Sequence, residues 1–152
     1  MSQSPTHADA ELILHLYELR REARMRQARQ WFATAFSATT LEELERLCPR
    51  GSEENASFRM VTGYWDMAAS FVTSGVLHRD LFFQSGQELL FVWEKMRALV
   101  PLLRERAKNP VAYRHLEQVA SDFIEWLNAR APEYYPYYSQ AVAAMMAQGR
   151  KG

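Results

Sequence analysis

The chain has one cysteine, Cys48, so no intrachain disulfide can staple it, and a small secreted scaffold held by bridges is excluded. It has no run of about eighteen uncharged apolar residues of the kind a membrane-spanning helix needs. The opening MSQSPTHADAELI also lacks the basic and apolar regions of a secretory leader. Glycine and proline are sparse, six of each, and the glycines at 51, 63, 75, 86, 149 and 152 form no phosphate-cradling loop. Net charge is absent as well, 18 basic side chains balancing 18 acidic ones, so the chain as a whole has no electrostatic pull toward nucleic acid or anionic lipid. A cytoplasmic protein without membrane contact is the expectation.

What is present is helical. Hydrophobic residues make up 48% and charged residues 24% of 152 residues, the composition of one folded domain. Apolar residues recur three and four apart almost throughout, and no segment alternates with the period of a strand. The pattern predicts a loose tail over 1–7, one bundle domain over 8–148 and a second tail over 149–152. A first long helix is expected from about Ala8 to Phe36, with Leu12, Leu16, Leu19, Ala23 and Gln27 on its inner face. Thr39 with Glu42 and Thr40 with Glu43 have capping-box spacing before a short helix to Leu47. Ser52 is a fit N-cap for a helix from Glu53 to about Thr73, and Gly75 suits the left-handed position that ends it. One or two turns over 78–84 follow. Ser85 with Glu88 has capping-box spacing before a long helix that Pro101 should kink. Asn109-Pro110 is the start signal of a helix to Arg130, and a short Ala/Met helix closes the chain near Gln148. The result is an all-α, compact antiparallel bundle of four main helices plus two or three short ones.

The chemistry-bearing residues are few. A di-iron bundle needs Glu-x-x-His on inward helix faces, and the chain has none, so no metal or other cofactor is expected. Cys48 reads as a small buried hydrophobe, and no catalytic residue is assigned. The densest feature is a cluster of five arginines between Arg20 and Arg29 opposed by Glu22 alone. Arginine suits bidentate contact with carboxylate or phosphate. At 100° per residue the five do not form one stripe, so a nucleic-acid face is not expected. Pairing with the acidic segment around Glu42 to Glu54 is the bland alternative. Tyr134-Tyr-Pro-Tyr-Tyr138 cannot all be buried by one short segment and reads either as a clamp onto the bundle or as a self-association surface.

The run from Tyr64 through Gly75-Val-Leu-His-Arg-Asp-Leu-Phe82, then Trp93-Glu-Lys-Met-Arg97, then Asn109-Pro with Leu116-Glu, resembles a family of uncharacterised bacterial helical domains. The resemblance covers about residues 55–125. It implies an all-α fold with a turn at Gly75 to Leu81 and carries no activity. Some relatives bear an N-terminal membrane span, whereas the first helix here is charged.

The function read from these residues is a helical interaction or regulatory module without catalytic activity, acting through a protein partner or as a homo-oligomer. Arg20, Arg21, Arg24 and Arg29 are the expected charged contacts, with Trp31, Tyr135 and Tyr138 as aromatic anchors. The alternative is a small-ligand-binding bundle whose pocket is lined by Trp65, Trp93 and Tyr113 with Asp66 or Glu94 as the charged group.

Overall fold

A computed structural model describes residues 3–151. Among them the chain forms nine helices and no strand, the all-α class that the periodicity predicts. The helices are α1 (His7–Arg20), α2 (Ala23–Ala35), α3 (Leu41–Leu47), α4 (Glu53–Thr73), α5 (Arg79–Phe83), α6 (Gln87–Met96), α7 (Val100–Ala107), α8 (Arg114–Arg130) and α9 (Tyr134–Arg150). None of the described helices is long and apolar enough to cross a membrane.

The centre is α4. Phe58, Val61, Trp65, Ala68 and Ala69 are buried along it at helical spacing, and it packs most extensively against α2 and α8. From α2 come Met25, Ala28 and Phe32, and from α8 Leu116, Val119, Ala120 and Phe123. Stacked rings continue the core, Phe32 on Phe36 at 4.8 Å and Phe36 on Phe58 at 5.3 Å between centroids. Truncating such a buried ring costs about 3–5 kcal/mol. Helix α6 adds Leu89, Leu90, Val92 and Met96 and carries α9 on its other side.

The expected single helix from Ala8 to Phe36 is two helices. It breaks at Arg21-Glu22, where Glu22 is the N-cap of α2 and its carboxylate accepts from the N–H groups of Arg24 and Met25, both at 3.0 Å. Two carbonyls in the last part of α1 accept side-chain donors from beyond it. Tyr64 Oη donates to Leu16 O at 2.6 Å and Arg29 Nη1 to Arg20 O at 3.0 Å. The break also turns the inner face. Leu16 is buried, then Met25 and Ala28, whereas Leu19, Ala23 and Gln27 are exposed.

Other boundaries differ for similar reasons. Helix α1 opens on a reciprocal capping box between Thr6 and Asp9, and Asp9 also accepts from His78 N at 2.9 Å. These backbone donors, Thr6 first, hold the Asp9 carboxyl below its usual pKa. Of the two capping boxes expected before α3, Thr40 is the N-cap that accepts from Glu43 N, while the Glu43 carboxylate reaches Thr39 N at 2.9 Å. Ser85 does not cap α6. Gly86 stands at that N-cap without a side-chain bond, and the Glu88 carboxylate is engaged with Arg29. Pro101 kinks nothing: the expected long helix divides into α6 and α7, with Pro101 in the first turn of α7, where its missing donor is not needed. Asn109-Pro110 makes a turn and not a helix start. The next helix begins at Arg114, its first turn held by Asp66 Oδ1 accepting from Leu116 N at 3.0 Å. Gly75 does take the left-handed conformation, φ +79°, and ends α4 as expected. The closing helix is longer than a short Ala/Met segment, running over Tyr134–Arg150.

Candidate functional site

The arginines of the first helical segment spread over different partners. Arg29 turns inward and grips Glu88 of α6 through Nε and Nη2, both at 2.9 Å, an ion pair that raises its pKa above the ordinary arginine value. Arg24 donates to Glu53 at 3.2 Å and to Ser57 at 3.3 Å, so part of the cluster is paired with the acidic start of α4. Arg20 lies over the Trp65 ring at 5.0 Å from its centroid. Arg21 sits at the exposed break, over Tyr17 at 5.7 Å. Trp31 is half-buried and tilts against Phe36. Three of the four arginines thus have work inside the fold.

The five residues of the alternative pocket are not brought together. Trp65 is fully buried in α4. Asp66 holds the start of α8, and Tyr113 shares a hydrogen bond of 3.0 Å with Thr62, its pKa raised chiefly by burial. Trp93 packs half-buried against the core. Glu94 lines a cleft.

That cleft lies on the seam between α6 and α9. Glu94 is buried, and α9 satisfies it: Tyr135 Oη donates to Oε1 at 2.5 Å and Ser139 Oγ to Oε2 at 3.0 Å. Arg97, one turn further along, stands 3.5 Å from the same carboxylate and 3.3 Å from Tyr135 Oη. Gln87 donates to Tyr134 Oη at 2.7 Å, and the Tyr134 and Tyr138 rings stack at 5.8 Å. Burial, followed by the influence of Tyr134, pushes the Tyr138 pKa up; burial also raises that of Tyr135, with Glu94 next. The tyrosine cluster therefore clamps α9 to α6 through Tyr135, Tyr138 and Tyr134, while Tyr137 is 73% exposed. Only Val142 and Met146 of α9 are buried. Beyond Glu94 the seam opens into a cleft of about 380 Å³ bounded by Arg97 and Ala98 on one side, Ala143, Met146 and Arg150 on the other, and Thr39 at one end. A second cleft of about 260 Å³ shares Arg150 as a wall. The end of α9 approaches closely there, since a Cβ on Gly149 would come within 3.1 Å of Ser37 Cβ.

Next to Glu94, Lys95 is 2% exposed. Its Nζ donates to Phe32 O at 2.8 Å and Ala33 O at 3.1 Å, closing the last turn of α2 where a cation is favoured. Burial lowers its pKa to about 8. Cys48 is a free, buried thiol pushed up to about 11 by burial, far from the thiolate that nucleophilic chemistry needs. Among the described residues no three His, Cys, Asp or Glu side chains group as a metal site.

Two signals in the sequence could have found this seam. Glu94 and Lys95 interrupt the apolar run of α6, and the sixteen residues from Tyr134 to Gly149 hold no Asp, Glu, Lys or Arg. A search of the curated proteins found no match, nor did a search of the solved structures. Residues 5–126 match a domain family of unknown function, DUF4760, and α9 lies outside the matched stretch. The match spans most of the chain and includes the run on which the resemblance rested, and the protein belongs to the DUF4760 family.

Proposed function

We propose that this chain is a non-catalytic interaction module of the cytoplasm that forms a homodimer through the outer face of α9. One observation carries the reading: α9 is uncharged from Tyr134 to Gly149 although most of its residues face solvent, with Tyr137 73% and Met145 48% exposed. A solvated helix ordinarily keeps a charged outer face. Tyrosine and methionine are enriched at protein interfaces, where charged residues are depleted. A second copy of α9 is the partner that this face fits best. Two uncharged faces meet about a twofold axis without like-charge repulsion, whereas nucleic acid or anionic lipid would call for lysine or arginine on the face. The arginines expected to make the contact support the reading less, because Arg24 and Arg29 are engaged within the chain. The unreactive Cys48 suits a reducing compartment.

Sedimentation over a range of concentrations tests it. The chain should sediment as a dimer, and Tyr137→Glu combined with Met145→Glu should give a monomer of unchanged helicity. A monomeric mass at every concentration, or a dimer indifferent to both substitutions, would refute it.

A further inference from the structure

We propose that the cleft between α6 and α9 binds a small organic monocarboxylate, its charged group held by Arg97 and Arg150 and its body resting on Ala98, Ala143 and Met146. The inference is independent of the dimer, because it concerns the inner side of α9 and the dimer its outer side.

The polar groups of the cleft divide unequally. Glu94 is its one carboxylate, and both of its oxygens are already taken, Oε1 by Tyr135 and Oε2 by Ser139. A ligand cation would have to compete there with Tyr135, Ser139 and Arg97. The guanidiniums are the reverse. Arg97 uses only Nη1 on Tyr135 and Glu94, and its side chain is half exposed. The Arg150 side chain makes no hydrogen bond or ion pair with the described residues. Two guanidiniums with open donors thus face the one carboxylate that lines this cleft. In the second cleft, Arg46 is paired with Glu42 at 3.3 Å and the Glu43 carboxylate bonds the backbone of Thr39. A monoanion takes up those open donors, and a planar carboxylate matches the donor fork of arginine. Apart from Thr39 and Ser139 the remaining wall is Ala98, Ala143 and Met146, so the ligand needs a short hydrocarbon body as well as a charge. About 380 Å³ is at the small end of ligand pockets.

The test titrates the full chain with butanoate, hexanoate and decanoate, using calorimetry and methyl NMR shifts. At least one of these acids should bind saturably and move the methyl signals of Ala98 and Ala143, while hexanol and hexylamine should not. Arg150→Gln and Arg97→Gln should each weaken binding about tenfold, and Arg26→Gln, a change at an exposed cation elsewhere, should leave it unchanged. Arg150 is exposed at the end of α9, so its variant remains decisive if Arg97→Gln disturbs the seam. The doubly substituted α9 variant at Tyr137 and Met145 should bind the acid as the parent does, which separates this site from the dimer. Absence of saturable binding by all three acids, equal binding of hexanol, equal binding of inorganic phosphate, or full affinity in Arg150→Gln would each overturn the proposal.

Discussion

Helices α2 and α9 are opposites in sequence, and their places in the fold are the reverse of what composition suggests. Helix α2 carries Arg24, Arg26 and Arg29 in thirteen residues, yet Arg29 reaches inward to Glu88 and Arg24 to Glu53 and Ser57. Helix α9 has no charge before Arg150, yet buries only Val142 and Met146. A dense charge is therefore not a binding surface when its partners lie within the chain. An uncharged helix is not a core helix when it sits at the edge. The contrast teaches that the informative quantity is the mismatch between a residue's chemistry and its surroundings.

The largest effect that would break this contrast is expected at the end of α2. Lys95 is charged in both the folded and unfolded chain below about pH 8, where its burial penalty is fully in place. Between about 8 and 10.5 the unfolded chain keeps a proton that the folded one has released, so stability rises with pH. Relative to Lys95→Met, the parent should gain on the order of 3 kcal/mol across that window, read by urea unfolding at several pH values. The raised tyrosine pKa values oppose this above pH 10 in both variants and cancel in the difference.

Arg29→Ala comes next. It leaves Glu88 and the Arg20 carbonyl without their donor and should cost about 2 kcal/mol; a double-mutant cycle with Glu88→Gln should show coupling between the pair. A loss below about 0.5 kcal/mol would mean that solvent replaces the ion pair. On the α9 side, Glu94→Gln removes the charge that Tyr135 and Ser139 bind and should cost about 1 kcal/mol. It should also loosen α9, seen as faster amide exchange over 134–150 than in the rest of the chain. The smallest effect belongs to the outer face of α9. Tyr137→Ala should change folding stability by less than about 0.5 kcal/mol, the full consequence of that residue falling on self-association.

Helix content was legible because it rests on local rules. Ser52 and Thr40 cap as their spacing predicts, and Gly75 takes its positive φ. The boundaries that were not legible depend on groups distant in sequence. Nothing between Arg20 and Ala23 forbids a helix, since these are good helix formers. The break is held by Glu22, which caps α2, and by Tyr64 and Arg29, which donate to Leu16 O and Arg20 O. The start of α8 depends likewise on Asp66, fifty residues earlier. Of the candidate site residues, Tyr135, Tyr138 and Glu94 meet at one seam, whereas Trp65, Asp66, Trp93 and Tyr113 are spent on the core or on helix ends.

By itself the sequence determined an all-α chain, where most of its helices lie, and a charge-free final segment, because helix period, caps and composition act within a few residues. The tertiary structure decided which arginines are paired, where the first helix breaks and which carboxylate α9 covers. Apart from the bond of Arg29 to Arg20 O and the Glu22 cap, which are nearer in sequence, those outcomes depend on donors and acceptors brought together from 29 to 59 residues apart, a distance over which no local pattern carries information.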